Sequence, residues 1–278
     1  MKVKVLGSVS PYPKDNKNGV GYLITNDKGN SEKLLLDCGP GSSRLLNMET
    51  DLNNLTIIIS HLHKDHYADL LSIGYASYVY HNLGYLTKRI KVYIPKGDII
   101  KENNYGNFKS TIKVLPDFEY LMNFRNEHFM EFIPYDEKTE ISTDSFSVLC
   151  HKAKHNIKTY HLRVWEKATN NVVVYSADTG YENNNLKGFY EGASLLICES
   201  TFLKGQVKGL DNHLYAYEAG LIANDTKAKM LMLTHFWPEI DKQKYVDEAK
   251  ETSKDCDVIA ADEGKVYQIG GKYDRSYK

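Results

Sequence analysis

The chain has 278 residues, with 35 Lys and Arg against 36 Asp and Glu, so its formal charge of -1 excludes the global positive field that coats nucleic acid non-specifically. A chain of this length can bury a substantial core without disulfide or metal staples. The four cysteines, Cys38, Cys150, Cys198 and Cys256, form no CxxC pair, and three lie beside apolar runs, which reads as reduced, buried thiols. The opening MKVKVLGSVSP has too short an apolar stretch for a signal peptide, and no window approaches the roughly 18 apolar residues of a membrane span. A soluble, cytoplasmic protein with no membrane partner is expected.

In chain order, short aliphatic and β-branched runs predict strands at KVKVLG (2–7), GYLIT (21–25), KLLLDCG (33–39), LTIIIS (55–60) and IKVYIP (90–95). The same pattern returns at FSVLC (146–150), YHLRVW (160–165), NVVVYSAD (171–178), ASLLICES (193–200) and KMLMLTHF (229–236). Helical spacing follows His66 and recurs over Tyr215 to Asn224 and Lys242 to Ser253. Strand-rich stretches lead and helices follow in both halves, which predicts an α/β layered fold with ligand-type residues at strand ends. No Pro/Ser-rich linker or fixed-period repeat divides the chain, so 1–278 is read as a single domain. Residues 96–140, less regular and rich in Asn, Lys, Glu and Phe, are the candidate insertion or lid.

The strand LTIIIS runs directly into SHLHKDH, where His61 and His63 alternate by two, as residues leaving a strand do, so both imidazoles can face one point. Asp65 and His66 then follow at a turn. Four ligand-type side chains so close together exceed what one open tetrahedral zinc takes, which is about three protein ligands and a water. Two adjacent metals are the economical reading, and a merely solvated polar loop would not need such a cluster after a buried strand.

The loop resembles the HxHxDH signature of the metallo-β-lactamase superfamily, and the resemblance continues along most of the chain. It implies a four-layer αββα sandwich. Asp37 in LLLDCGPG resembles that family's early aspartate, which orients a ligand from behind. In HKAKHNIKTYHLRV, the spacing of His155, Tyr160 and Arg163 resembles the family's third motif, which selects His155 over His151 and His161. Asp178 in VVVYSADTG corresponds to the bridging carboxylate and His235 in MLMLTHF to the last ligand. The resemblance thus assigns His61, His63 and His155 to one metal, Asp65, His66 and His235 to the other, and Asp178 to both. Two divalent ions of this kind lower the pKa of a shared water and neutralise charge on phosphoryl oxygens. Zn²⁺ suits the imidazole and carboxylate set best, with Mn²⁺ or Fe²⁺ also compatible.

Within the superfamily, no cysteine ligand lies near Asp178, unlike the cysteine-bearing β-lactam-cleaving enzymes. The 43 residues after His235 leave no room for the helical substrate domain of glyoxalase II, so that branch is not expected. LLICESTF followed by HLYAYEAGLIA resembles the ribonuclease Z branch, where a Glu and a His are linked and the His protonates the leaving oxygen; the matching residues are Glu199 and His213. These two, with Asp65, are the expected catalytic groups. His213 could instead only cap the following helix. Ribonuclease Z grips tRNA with a basic, Gly/Pro-rich arm, and residues 179–212 contain no such segment. The chain is therefore more similar to armless relatives, among them enzymes that open cyclic nucleotides, including phage proteins that destroy cyclic-nucleotide immune signals. Hydrolysis of a cyclic nucleotide or similar small phosphodiester is expected, with tRNA 3′ processing as the alternative; a lactonase and a metal-bound module without catalysis are further ones. Tyr75, Tyr78 and Tyr85, close behind the metal loop, suit a core or a homodimer interface better than base stacking. A homodimer is expected because relatives of this branch are commonly dimers.

Overall fold

Runs that are apolar at every position bury both faces of their strands, and alternation then decides which layer each side chain enters. In the computed structural model, which describes residues 1–26, 32–96, 100–102, 111–113, 128–182, 187–206 and 211–270, this rule builds two seven-stranded sheets, beside which a separate two-stranded pair forms. The strands of the first half are β1 (Lys2–Gly7), β2 (Gly21–Thr25), β3 (Lys33–Leu36), β4 (Leu55–Ile58), β5 (Ile90–Pro95), the short pair β6 (Ile100–Glu102) and β7 (Thr111–Lys113), and β8 (Met130–Tyr135). Those of the second half are β9 (Ile141–Ser142), β10 (Phe146–Lys152), β11 (Tyr160–Glu166), β12 (Val172–Tyr175), β13 (Leu195–Glu199), β14 (Met230–Thr234), β15 (Asp257–Ala260) and β16 (Val266–Gln268).

One seven-stranded sheet has the order β16-β1-β2-β3-β4-β5-β8 and the other β15-β14-β13-β12-β11-β10-β9. In the first, β1 to β3 form an antiparallel meander and β3, β4, β5 and β8 run parallel. In the second, β10 to β12 are antiparallel and β12 to β15 parallel. The helices are α1 (Met48–Asp51), α2 (Lys64–Tyr67), α3 (Leu70–Asn82), α4 (Lys187–Tyr190), α5 (Ala216–Asp225) and α6 (Lys242–Lys250).

The three buried clusters trace the layers. Leu34, Leu36, Ile58, Leu195, Ile197, Met230 and Met232 point between the sheets. Their neighbours Leu35, Ile57 and Ile59 turn outward to meet Leu70 and Ile73 of α3, while Leu196, Cys198, Leu231 and Leu233 meet Ala219 and Ala223 of α5 and Tyr245 of α6. Helices therefore flank two face-to-face sheets, the four-layer αββα arrangement. All four cysteines are free, with Cys38, Cys150 and Cys198 buried.

The ten strands expected from the sequence all form, as do the three helices, the last ending at Lys250 rather than Ser253. The expected insertion or lid over 96–140 needs a narrower boundary. Its residues 97–99, 103–110 and 114–127 lie outside the described residues, but Met130–Tyr135 is β8, an integral edge strand registered against β5. Among the described residues, no helix is long and apolar enough to cross a membrane.

Candidate metal centre

The polar residues gather where the parallel strands end. Beyond β4 the chain continues to His63, whose extended backbone (φ -81°, ψ 142°) opens α2, the single turn that carries Asp65 and His66. Gly39 passes under this turn, where a Cβ would stand 2.1 Å from the Asp65 carbonyl oxygen. His155 lies between β10 and β11, Asp178 follows β12, Glu199 ends β13 and His235 follows β14. Because β12, β13 and β14 are parallel neighbours, the residues at their ends arrive side by side. The Tyr160 N–H donates to Ser60 O (3.1 Å), joining the two sheets at the same edge.

Two groups of donor atoms result. In the first, His63 Nδ1 lies 3.1 Å from His61 Nε2 and 3.2 Å from His155 Nε2, with Asp178 Oδ2 at 3.5 Å from His61 Nε2 and 3.9 Å from His155 Nε2. In the second, His66 Nε2 and His235 Nε2 stand 3.8 and 3.7 Å from Asp65 Oδ2 and 3.2 and 3.1 Å from Asp178 Oδ1. A tetrahedral ion about 2.1 Å from each donor holds its donors about 3.4 Å apart, so both groups have the spacing of a coordination shell. Asp178 offers one oxygen to each.

The remaining ring nitrogens fix which atom faces inward. Ser60 Oγ gives its one proton to Asp37 Oδ2 (2.7 Å), so it accepts from His61 Nδ1 (3.1 Å). His66 Nδ1 donates to Asp37 Oδ2 (2.8 Å) and His155 Nδ1 to Asn212 O (3.1 Å). Each of these imidazoles therefore directs an unprotonated Nε2 at the cluster when neutral, and His63 directs Nδ1. His66 Nε2, His235 Nε2 and Asp178 Oδ1 are buried with no hydrogen-bond partner. Unpaired lone pairs aimed at one another are what a cation would satisfy, so the residues present fit divalent metal.

The charge balance agrees. Burial holds His61 well below its usual range and His63 down at about 4, and it lowers His155, so these three stay neutral as ligands must. Burial also opposes protonation of His66 and His235, but the Asp178 and Asp65 carboxylates outweigh it, raising His66 and bringing His235 to about 10. The second group thus favours positive charge, which is what a cation there supplies.

Of the three histidines between Lys152 and Leu162 or just before them, only His155 joins the cluster. His151 is half exposed beside Glu137 (3.4 Å), and buried His161 gives Nδ1 to Ser176 O (2.6 Å). Glu199 and His213 are together, with Oε1 to Nδ1 at 2.9 Å, and His213 Nδ1 is 4.0 Å from Asp178 Oδ2. Asp37 stands behind the loop, also accepting from Ser60 N (2.6 Å) and Tyr175 OH (2.8 Å). Sequence reading did not find Ser10, whose Oγ donates to Asp65 Oδ2 (2.6 Å), nor Ser60, Tyr175 and Thr201. The serine pair in VLGSVSP was visible, but nothing local to it indicated the partner.

Comparison with known proteins gives the family. The model of the anti-Pycsar protein Apyc1 family matches residues 1–257. The probable metallo-hydrolase YhfI of Bacillus subtilis is 27% identical over 236 residues, covering 84% of this chain and 86% of its own. The crystal structure of YhfI, a metallo-β-lactamase fold protein, superposes with a TM-score of 0.77 at 26% identity, covering 96% of this chain and 98% of that one. Ribonuclease Z of Clostridium perfringens is 28% identical over 325 positions, covering 96% of this chain and 98% of the relative. Human tRNase Z, short form, shares the fold at a TM-score of 0.68 and 19% identity, covering 97% and 99% of the two chains. With an His/Asp cluster suited to metal at the edge of an αββα sandwich, the chain is a metallo-hydrolase of the metallo-β-lactamase fold in the ribonuclease Z-like branch, and it belongs to the anti-Pycsar protein Apyc1 family.

Proposed function

We propose that this chain is a dinuclear phosphodiesterase that hydrolyses a cyclic nucleotide or comparable small phosphodiester to a monoester. The observation that carries the reading is the Glu199–His213 pair set beside Asp178 at the metal cluster. His61, His63 and His155 would hold one divalent ion, Asp65, His66 and His235 the other, and Asp178 both; Zn²⁺ fits this donor set best. Ions there would activate a water and neutralise the charge that builds on phosphoryl oxygens.

The chain's own groups would do the rest. Burial alone would lower the basicity of His213, but the Glu199 carboxylate outweighs it and raises the pKa above the usual histidine value. His213 thereby holds its proton to higher pH than an ordinary imidazole. Its Nδ1–H is held by Glu199, so Nε2–H is the proton available to a leaving alkoxide. Asp65, fixed by Ser10, holds its charge against the second group of histidines. His213 also comes within ligand distance of Asp178 and His235. Its capture by Glu199 favours the acid role over ligation.

Substrate size rests on the comparison with ribonuclease Z. The match to the Clostridium perfringens enzyme spans 325 positions, more than this chain's 278 residues. The ribonuclease Z therefore carries segments that this chain lacks, in keeping with a protein that does not grip tRNA. The anti-Pycsar name of the matched family agrees with cyclic-nucleotide degradation.

A second copy of the chain is the proposed partner. The inner face of α3 buries Leu70, Ile73 and Ser77, yet its outer face exposes Leu71, Tyr75, Tyr78 and Val79, with Leu83 and Tyr85 just beyond. An apolar stripe of this kind, directly behind the metal loop, suits a homodimer interface.

Four outcomes are expected. Purified protein contains two transition-metal ions per chain; His155→Ala loses metal and His151→Ala does not, and the reverse result in elemental analysis would overturn the ligand choice. Incubated with a panel of 3′,5′- and 2′,3′-cyclic nucleotides and with a tRNA precursor, the metal-loaded protein opens at least one cyclic nucleotide and leaves the precursor largely intact; efficient trailer removal with an untouched panel would sink the substrate reading. His213→Ala keeps its metal but slows an alkoxide-leaving substrate by the ~10²–10⁴-fold typical of general acid catalysis, and a nitrophenolate-leaving substrate far less. Equal losses on both would assign His213 to positioning instead. The native mass in solution is that of a dimer, and Tyr75→Asp with Leu83→Asp shifts it to monomer; a monomeric wild type would rule the interface out.

A further inference from the structure

The hydroxyl of Thr201 stands between the two halves of the proposed machinery. Its Oγ1 lies 2.6 Å from Glu199 Oε2 and 2.7 Å from His235 Nδ1. All three residues are buried. The direction of each bond follows from proton counting. Glu199 is surrounded by donors: Thr179 N (2.7 Å) and His213 Nδ1 (2.9 Å) on Oε1, and Leu214 N (3.1 Å) and Thr201 N (3.3 Å) on Oε2. Burial disfavours its charge, but His213 outweighs burial and lowers the pKa, so the group is a carboxylate that can only accept. The single Thr201 hydroxyl proton therefore goes to Oε2. Its oxygen is then an acceptor, and the bond from His235 must be Nδ1–H to Oγ1. His235 is left with Nε2 turned toward Asp178 Oδ1 (3.1 Å) and Asp65 Oδ2 (3.7 Å), the orientation a ligand requires.

We propose that Thr201 is a positioning residue that holds His235 in its ligating tautomer and, through the same oxygen, fixes the Glu199 carboxylate that orients His213. One hydroxyl thus ties the second metal group to the acid pair. Among the described residues no other side chain hydrogen-bonds His235 Nδ1. The inference rests on the two-ion phosphodiesterase reading for its catalytic half, but its metal half concerns only this chain's own residues and Zn²⁺.

The test compares Thr201→Val, which keeps the shape and removes the hydroxyl, with Thr201→Ser, which keeps the hydroxyl. Zn²⁺ affinity is measured by competition with a chromophoric chelator, with no substrate present. Loss of a hydrogen bond behind a ligand typically costs ~10–100-fold in metal affinity. Thr201→Val should show that loss at one of its two sites and keep the other, while Thr201→Ser stays close to wild type. On phosphodiesters, Thr201→Val should also lower kcat more for an alkoxide-leaving than for a nitrophenolate-leaving substrate, and Thr201→Ser should restore both. If Thr201→Val does not fold, Thr201→Ala, which adds no bulk, carries the same measurement. Wild-type affinity at both sites in the hydroxyl-free variants, or an equal loss in Thr201→Ser, overturns the proposal. Should wild type turn over no phosphodiester while Thr201→Val still loses one ion, the functional reading fails and the positioning role stands.

Discussion

Asp178 sets the terms for the rest of the molecule. Its carboxylate is almost completely buried, and each oxygen faces imidazole nitrogens from a different part of the chain. A buried charge in that position is costly unless compensated: His66 on the first sheet's loop and His235 after β14 are the imidazoles whose basicity it raises, while His61 and His155 turn donor atoms suited to a cation toward its other oxygen. The two sheets must therefore be held at a fixed separation and register before the site exists at all. Stacked sheets sit about 10 Å apart with apolar side chains filling the gap, and at its rim polar side chains from both sheets meet. The core between the sheets, from Val3 and Val5 to Leu162 and Met232, is what keeps that rim in place. Core packing and site geometry are one constraint here.

Behind the imidazoles, the compensation is carried outward by hydroxyls. Asp37 takes protons from Ser60, His66 and Tyr175, and Glu199 takes them from Thr179, His213 and Thr201. Each carboxylate gathers donors from widely separated parts of the chain, so each is satisfied only in the folded state. The arrangement gives the clustered imidazoles defined tautomers, which is the preorganisation a metal site needs.

The parts legible in the sequence are those whose signal is local. SHLHKDH packs its ligand types into seven residues, and the strand runs that precede Asp178, Glu199 and His235 are continuous and apolar because both faces are buried. Ser10 and Thr201 were not legible, because their partners Asp65 and His235 lie 55 and 34 residues away and a loop hydroxyl has no pattern of its own. The strand β8 was missed for another reason. MEFIPY carries Pro134 inside a polar neighbourhood, which argues against a strand, but β8 lies at the sheet's edge, where a missing N–H costs least. His151 and His161 differ from His155 only in where they point. They face each other across β10 and β11 in register, on a face of the sheet away from the cluster, while His155 lies in the connecting loop. Spacing alone does not carry that distinction.

Backbone conformation shows what the site costs. Asp37, Ala177 and His235 all have positive φ, at 56°, 50° and 63°, and each follows a strand within two residues. None is glycine, and a non-glycine residue held in the left-handed region costs of the order of 1–3 kcal/mol. An extended continuation would carry alternate side chains to opposite faces of the sheet, as pleating demands. A left-handed residue instead breaks the alternation at the point where the chain must swing its next side chains into the rim between the sheets. At Asp37 the strained residue is itself the one held by four donors, so side-chain bonding offsets the backbone cost. At His235 the Thr201 hydroxyl holds Nδ1 (2.7 Å) and the Asp178 and Asp65 carboxylates face Nε2, so side-chain contacts offset the backbone cost there as well. At both strand ends the contacts that hold the left-handed residue also aim an imidazole into the rim, His66 from Asp37 and His235 itself, so local strain and site geometry are set by the same bonds.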